Sequence, residues 1–373
     1  MYTDRSSNGL EQETQEAVVV AMSGGVDSSA AAGLLVRSGS RVVGATLLMG
    51  IGGAEGDPQG AAGRARAVAS HLGIEHRAID CAAAFRKGVL APAWSEYDRG
   101  RTPSPCVVCN DRIKFRTLAA LADEIGAFRI ATGHYARVEP DSAGHGVALL
   151  RGVDPEKDQS YFLHALAEEH LGRALFPLGG LTKPEVRALA RDMGLPNAED
   201  AESQDACFAD GGDGFAESLR RSFGASSRTG AIVGPDGREL GRHEGVHRFT
   251  VGQRKGLGVA ARGRAYVCRI DGTAGRVVLS DDLADLESDG LEASDFRWIG
   301  GPDPVGPFRC EAQIRYRHRA AAATAEILGG GLLRVRFDER VRAVAPGQAV
   351  VLYREDRVLG GGWIDRSLRD GDV

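Results

Sequence analysis

Residues 18–29, Val-Val-Val-Ala-Met-Ser-Gly-Gly-Val-Asp-Ser-Ser, combine a β-branched run, a glycine pair and a serine-rich turn. The run predicts a buried strand, and the alanine- and leucine-rich segment from Ala30 to Val36 predicts a helix. Between them, Gly24 and Gly25 let the backbone approach a phosphate closely, and the amides at the helix start favour an anion. This strand, turn and helix therefore predict a phosphate site.

The same loop matches neither of two common phosphate motifs. It lacks the Lys-Ser/Thr ending of a Walker A loop, and it does not fit Gly-x-Gly-x-x-Gly. It resembles Ser-Gly-Gly-x-Asp-Ser-Ser, the pyrophosphate-binding loop of enzymes that cleave ATP to AMP and pyrophosphate. This resemblance implies that the protein adenylates a substrate.

The composition is that of a globular protein. The chain has 373 residues, 43 % of them hydrophobic, with 51 glycines, which predicts two or three domains with many turns. The formal net charge of −5 does not favour a nucleic-acid binder, but a local basic face is enough for one. The six cysteines are too sparse for a disulfide framework, and no membrane span or secretion signal is predicted. We therefore expect a cytoplasmic protein with no membrane partner.

Strand-like and helix-like segments alternate from residue 17 to about residue 208. The predicted strands are 18–22, 41–48, 75–80 and 128–132, and the predicted helices include 63–72, 108–125 and 182–193. This alternation predicts an α/β fold with a doubly wound parallel sheet, whose ligands bind beyond the carboxyl ends of the strands. The Ser-Gly-Gly loop and residues 132–135 both follow strands, so both are expected at that edge.

Two smaller β domains are predicted after the parallel-sheet domain. Short β runs broken by glycine and aspartate predict a small, mostly β middle domain, and closely spaced runs after a proline-rich connection predict a C-terminal β-barrel. These runs are 231–233, 266–270 and 276–279 in the first group, and 308–316, 322–328, 332–337, 349–353 and 362–364 in the second. The predicted division is a disordered lead-in at 1–16, a nucleotide domain at 17–213, the middle domain at 214–287 and the barrel at 288–373.

Three cysteines are candidates for chemistry. Cys106 and Cys109 open the predicted helix at 108–125 after two stiffening prolines, and a thiol at a helix N-terminus is more easily ionised. Cys207 lies far away in a polar stretch. A structural zinc site is the alternative for the close pair, but it needs four ligands, and no second Cys-x-x-Cys or matching histidine pair is present. Cys268 and Cys310 alternate with apolar residues, which favours core positions.

Separate blocks along nearly the whole chain resemble the tRNA-specific 2-thiouridylase family. The matching blocks are residues 22–29, 100–105 with Cys109 and Asn110, 131–135, 157–163, 207–208, 252–258, 315–317 and 346–348. The resemblance implies ATP-dependent 2-thiolation of the wobble uridine, position 34, of tRNA, with release of AMP and pyrophosphate. ATP turns the uracil C2 oxygen into a good leaving group, and sulfur then displaces it.

The resemblance also implies two sets of binding residues. Those expected at ATP are Ala21, Met22, Ser23, Gly24, Gly25, Val26, Asp27, Ser28, Leu47 and Gly133, with Asp27 on the Mg²⁺ side. Those expected at tRNA are Ser104, Pro105, His134, Lys157, Asp158, Gln159, Arg254, Lys255, Arg315, Tyr316 and Gln348. A strand through 314–319 would place its arginines on one face. The expected tRNAs are those for Lys, Glu and Gln.

Two sulfur routes remain open from the sequence. By resemblance, Cys207 takes sulfur as a persulfide from a donor such as a cysteine desulfurase or a sulfur-relay protein. Cys109 then frees hydrosulfide or forms the disulfide afterwards. Many members have Asp, with a role beside the target base, where this chain has Cys106. Cys106, Cys109 and Cys207 are instead the trio with which related RNA thiolases hold a [4Fe–4S] cluster.

Two rival functions share parts of this pattern. An amide-forming ligase with the same loop would form AMP without needing Cys109 or Cys207. A non-catalytic relative would bind tRNA without cleaving ATP.

Overall fold

The computed structural model describes residues 16–50, 60–141, 144, 146–201, 214–259 and 264–369. Its first domain contains a five-stranded parallel sheet in the order β3-β2-β1-β4-β7. The strands up to that point of the chain are β1 (Ala17–Ala21), β2 (Arg41–Leu48), β3 (Glu75–Asp80), β4 (Arg129–Ala131), β5 (Ala136–Pro140), β6 (Val147–Arg151) and β7 (Ala174–Leu175). The predicted parallel sheet is thus confirmed.

Helices cover both faces of this sheet. They are α1 (Val26–Arg37), α2 (Ala61–Leu72), α3 (Ala82–Phe85), α4 (Ala91–Asp98), α5 (Pro105–Cys109), α6 (Phe115–Glu124), α7 (Glu168–Arg173) and α8 (Lys183–Asp192). Val18 and Val20 of β1 pack in one apolar cluster with α1, α2 and α8, whereas Val19 packs in another with α6. Because alternate residues of a strand face opposite sides, this division confirms the doubly wound arrangement.

The helix predicted at 108–125 is present, with one wider turn inside it. It begins earlier, at Pro105, and a π-helical turn at Asn110–Lys114 separates α5 from α6. Within the π turn, the side-chain amide of Asn110 donates to the carbonyl oxygen of Phe162 at 3.0 Å. The wider turn changes which residues share a face with the cysteines, and residue periodicity alone does not reveal it.

The middle domain follows α9 (Phe215–Ser222) and is mostly β, as predicted. Its strands are β8 (Gly230–Val233), β9 (Glu239–His243), β10 (Tyr266–Asp271) and β11 (Arg276–Ser280), in the order β10-β11-β8-β9.

The predicted C-terminal barrel is confirmed and has a longer sheet than expected. Its strands are β12 (Glu287–Trp298), β13 (Phe308–Gln313), β14 (Ala321–Gly329), β15 (Leu332–Arg342), β16 (Ala349–Arg354) and β17 (Arg357–Leu368). Pairing of β12 with β17 closes these strands into a ring. The hairpin β5–β6 of the first domain extends the same sheet through β17, where Arg357 lies opposite Leu150. Main-chain pairing of β6 with β17 therefore joins the first domain to the sheet of the barrel.

The strand predicted through residues 314–319 is wrong. β13 ends at Gln313, the last residue that pairs with β16, and Arg317 has a positive φ of 62°. A left-handed residue does not continue a strand, so the arginines there do not share one strand face. Among the described residues, no helix is long and apolar enough to cross a membrane.

Candidate functional site

The Ser-Gly-Gly loop joins β1 to α1 and leaves no room for a side chain at its own Gly24 or at Gly133, which lies against it. Gly24 has a φ of +78°, and a Cβ there would collide with the carbonyl oxygen of Ala61 at the start of α2. A Cβ on Gly133, which follows β4, would lie 2.8 Å from the amide nitrogen of Ser28. Both positions therefore need glycine, and β4 brings Gly133 against the first turn of α1.

Hydroxyl and amide side chains hold the loop in shape. The Ser28 hydroxyl accepts from the amide of Ser23 at 3.1 Å and donates to the carbonyl of Gly25 at 3.0 Å. Asn197, buried beyond α8, donates its amide to the Gly24 carbonyl and the Ser29 hydroxyl, both at 2.9 Å. The amides in the first turn of α1 have no intrahelical acceptor by geometry, so the shaped loop presents them to an anion.

Lys183, which lies outside the loop motif, also reaches this loop. The ammonium of Lys183, at the start of α8, lies 2.6 Å from Oδ1 of Asp27. The Tyr135 hydroxyl donates to the same oxygen at 2.8 Å, while Oδ2 takes part in neither bond. Only 11 % of the Lys183 side chain is exposed. A positive charge is thus fixed beside a loop suited to phosphate, where it would be attractive to a polyanion.

The sequence around Lys183 indicates the start of a helix and not a binding role. Thr182 and Glu185 form a capping box, which marks the start of α8. Asp154 also accepts from the Lys183 backbone amide at 2.9 Å. These contacts fix where α8 begins, and that start sets where the ammonium lies.

His134 lies next to Gly133 at the same edge of the sheet. Its Nδ1 lies 2.7 Å from the Thr132 hydroxyl, and its ring stacks on Phe115 with 6.4 Å between centroids. Burial, and secondarily the charge of Lys114, lowers the pKa of His134 well below its ordinary value. The imidazole is therefore neutral near pH 7 and can accept or donate one hydrogen bond.

The two helix cysteines lie at the end of β2. Cys106 and Cys109 both belong to α5, and both pack in an apolar cluster that includes Leu47 and Met49. Cys109 is 9 % exposed and Cys106 is half-buried. Leu47, predicted at ATP, thus contacts the cluster that contains the thiols. Cys268 and Cys310 lie in the other domains, in β10 and β13.

Cys207 lies outside the described residues, but the residues that flank its segment do not. Upstream, Asn197 bonds to the Ser-Gly-Gly loop. Downstream, Phe215 packs in the cluster of Cys106 and Cys109. The described residues on either side of that segment therefore contact the Ser-Gly-Gly loop and the cluster of the two thiols. In the described ranges, no three His, Cys, Asp or Glu side chains form a metal-holding group.

The residues predicted at tRNA occupy different surroundings. Asp158 accepts from the amides of Gly152 and Ser160 and from Arg151. Gln159 accepts from the amide of Tyr135 at 3.1 Å. These side chains brace the loop behind Tyr135, beside Lys157. Their contact with tRNA stays a prediction.

The middle-domain loop is the most open of the predicted tRNA elements. Arg254 and Lys255 are exposed. Arg254, Leu257, Val259 and Arg264 are among the residues around a cavity of about 500 Å³. The two arginines that line this cavity, Arg254 and Arg264, suit contact with phosphate.

The barrel residues predicted at tRNA meet the first domain. Arg315 donates to the carbonyls of Arg342 and Ala343, and the ring of Tyr316 lies 4.4 Å from that of Phe162. Gln348 reaches the segment just before Ser104 and Pro105, which begin α5. The structure thus brings Gln348, Ser104 and the thiol helix together, whereas Arg254 and Lys255 are exposed.

Comparison with known proteins gives consistent matches along the chain. A family model described as a tRNA methyl transferase HUP domain matches residues 16–211. Models described as a tRNA methyl transferase PRC-barrel domain and an aminomethyltransferase beta-barrel domain match residues 219–281 and 288–364.

Several relatives carry the name tRNA-specific 2-thiouridylase MnmA. The one from Geobacter metallireducens is 43 % identical over 97 % of this chain and 100 % of its own length. That from Solibacter usitatus is 44 % identical over 94 % of this chain and 100 % of its own. That from Sorangium cellulosum is 46 % identical over 94 % and 93 %.

Proposed function

The chain belongs to the tRNA-specific 2-thiouridylase family, and we propose that it catalyses ATP-dependent 2-thiolation of the wobble uridine, position 34, of tRNA. The observation that carries this proposal is the set of groups that lie together where the parallel strands end. There the Ser-Gly-Gly loop, the Lys183 ammonium and the helix of Cys106 and Cys109 lie together. The products are 2-thiouridine, AMP and pyrophosphate.

The nucleotide side of the reaction uses the loop. Ala21 to Ser28, with Leu47 and Gly133, bind ATP, and the first-turn amides of α1 hold the departing pyrophosphate. The Lys183 ammonium offsets the negative charge of the departing pyrophosphate. Mg²⁺ is a hard cation that prefers phosphate and carboxylate oxygens and shields phosphate charge. Oδ2 of Asp27, which neither Lys183 nor Tyr135 uses, is the oxygen we place on the metal side.

The sulfur side has two routes that the thiols support equally. In the first, a donor protein such as a cysteine desulfurase or a sulfur-relay protein leaves a persulfide on Cys207, and Cys109 assists its release. In the second, Cys106, Cys109 and Cys207 would hold a [4Fe–4S] cluster, which would supply an open iron for hydrosulfide. Cys106 and Cys109 lie three residues apart on one helical turn, which suits either route.

The tRNA side draws on all three parts of the chain. Arg254 and Lys255 contact phosphates, and His134, Lys157, Arg315 and Tyr316 line the approach of the splayed uridine. The acceptors are tRNAs for Lys, Glu and Gln, and the reaction takes place in the cytoplasm. The neutral His134 suits an edge hydrogen bond to a base.

A thiol-replacement experiment tests the proposal. Purified protein is given ATP, unmodified tRNA and a sulfur donor, and 2-thiouridine and pyrophosphate are both measured. We expect Cys109→Ser and Cys207→Ser to lower 2-thiouridine formation about 10³-fold while pyrophosphate is still released. Cys268→Ser is the matched control, because that thiol lies in the middle domain and donates to the Val278 carbonyl.

Each rival gives a different result. Thiolation at full rate in both serine variants would exclude cysteine-delivered sulfur. Pyrophosphate release with no 2-thiouridine in the wild-type protein would favour an amide-forming ligase. tRNA binding with no ATP cleavage would favour a non-catalytic relative. Active, colourless, iron-free protein after anaerobic purification would remove the cluster route.

A further inference from the structure

The segment that leads into the thiol helix, residues 98–104, is held from outside its own domain. On the middle-domain side, Arg228 donates to both carboxylate oxygens of Asp98, at 3.0 and 2.7 Å. The Thr102 hydroxyl donates to the Thr250 hydroxyl at 3.2 Å. The middle domain therefore contacts the segment at its start and near its end.

The barrel contacts the same segment more closely. The side-chain amide of Gln348 donates to the carbonyls of Thr102, at 3.1 Å, and Pro103, at 3.0 Å. The amide of Thr102 in turn donates to the Pro346 carbonyl at 2.8 Å. A Cβ on Gly347 would lie 2.9 Å from the Thr102 carbonyl oxygen, so the two segments of the chain are packed closely together.

The chemistry of the segment explains why it needs outside partners. Pro103 and Pro105 have no amide hydrogen, so local turns cannot easily satisfy the carbonyls around them. Pro103 and Ser104 are buried, and a buried carbonyl without a donor is costly. Gln348 supplies both donors from one side chain, immediately before α5 begins at Pro105.

We propose that Gln348 is a positioning residue for the thiol helix: it fixes the turn from which Cys106 and Cys109 start. This deepens the proposed thiolation and rests on it for the catalytic consequence. A primary amide has two N–H donors, and both are used on the segment, so Oε1 is the atom that Gln348 can offer to RNA. A tRNA docked on the barrel would then contact Gln348, the same residue that holds the thiols in place.

The test measures thiol accessibility without substrate. Gln348→Met keeps the length of the side chain and removes both donors. Iodoacetamide labelling of Cys106 and Cys109 is followed by peptide mass spectrometry, with neither ATP nor tRNA present. We expect Cys109, which is 9 % exposed, to be labelled about tenfold faster, since loss of two hydrogen bonds favours local opening of the segment. Thr250→Val removes one weaker contact and should give a smaller increase in the same direction.

The matched control is Arg309→Met, which removes exposed barrel contacts to Thr324 and Asp338. Its labelling rate should equal that of the wild-type protein. In thiolation assays, Gln348→Met should lower kcat about tenfold because the thiols are misplaced, whereas the loss of Oε1 raises the KM for tRNA. Circular dichroism melts identify a variant that has unfolded, in which case Thr250→Val carries the test.

Unchanged labelling of Cys109 in Gln348→Met and in Thr250→Val would overturn the proposal. A higher KM for tRNA with normal labelling would do the same and leave Gln348 as an RNA contact alone. The labelling result is independent of thiolation activity. Failure of the wild-type protein to thiolate would therefore count against the proposed function and not against the positioning role.

Discussion

The nucleotide loop and the thiol helix are built in different ways although they lie at one edge of the same sheet. The loop contacts described above all come from the first domain: Tyr135, Lys183, Asn197 and Gly133. The turn before the thiol helix is held by Arg228 and Thr250 of the middle domain and by Gln348 of the barrel. The shape of the nucleotide loop therefore depends on one domain, whereas the position of the thiol helix depends on three.

Removal of Lys183 should give the largest effect on the nucleotide side. In Lys183→Met, we expect pyrophosphate release to fall about 10²- to 10³-fold, because a fixed charge beside the leaving group is lost. Labelling of Cys109 should not change, since the thiol helix is held by other contacts. A phosphate-release assay coupled to pyrophosphatase measures the rate.

Arg191→Met is the matched control for that substitution. Arg191 lies on the same helix, α8, and forms an exposed ion pair with Glu199. Its loss should leave pyrophosphate release within twofold of wild type, as exposed pairs contribute little. If Lys183→Met also stays within twofold, the ammonium has no role in ATP activation.

Charge reversal in the middle domain should separate tRNA binding from ATP binding. With Arg254→Glu and Lys255→Glu together, we expect tRNA affinity to fall at least about tenfold and the slope of log affinity against log salt to shrink by about 2. Filter binding over a salt series measures both, and Arg37→Glu, an exposed first-domain cation paired with Asp192, serves as control. Equal loss of ATP and tRNA binding would contradict the separation.

Acid should weaken the join between the first and middle domains. Glu217 of α9 contacts Arg220 and His247, and Trp94 of α4 packs on the His247 ring. The hydrogen bond from Arg220, supported by that from His247, lowers the pKa of Glu217 from 4.5 to about 2. The folded state thus keeps the charged form to lower pH than the unfolded chain, so this stabilisation is present above pH 4.5 and is lost as the pH falls to about 2.

The matching variant is Glu217→Gln, which cannot ionise. At pH 7 its Tm should lie about 3 °C below that of wild type, because the acceptor of the hydrogen bonds from Arg220 and His247 loses its negative charge. The difference should shrink as the pH is lowered from 4.5 towards 2. Thermal melts across that range measure it, and a difference that stays constant with pH would show that ionisation of Glu217 does not matter.

The sequence predictions succeeded where the signal is local. The strands expected at 41–48 and 75–80 are β2 and β3 without a shift of either end, and α8 begins at Lys183, one residue after the predicted start at residue 182. The π turn at Asn110–Lys114, the pairing of the β5–β6 hairpin with the barrel and the end of β13 at Gln313 were not predicted. Each of these depends on partners far away in the chain, which periodicity does not contain.

The candidate site shows the same difference between local sequence signals and contacts that are distant in the chain. The glycine pair, the serines and the Cys-x-x-Cys helix start could be found from neighbouring residues, because anion binding by a turn and thiol ionisation at a helix end are short-range effects. Lys183 and Asn197 lie more than 150 residues from the loop that they contact, and Gln348 lies 246 residues from Thr102. Their roles follow from packing, since a hydrogen bond or ion pair needs a distance near 3 Å and only the folded chain brings such groups that close.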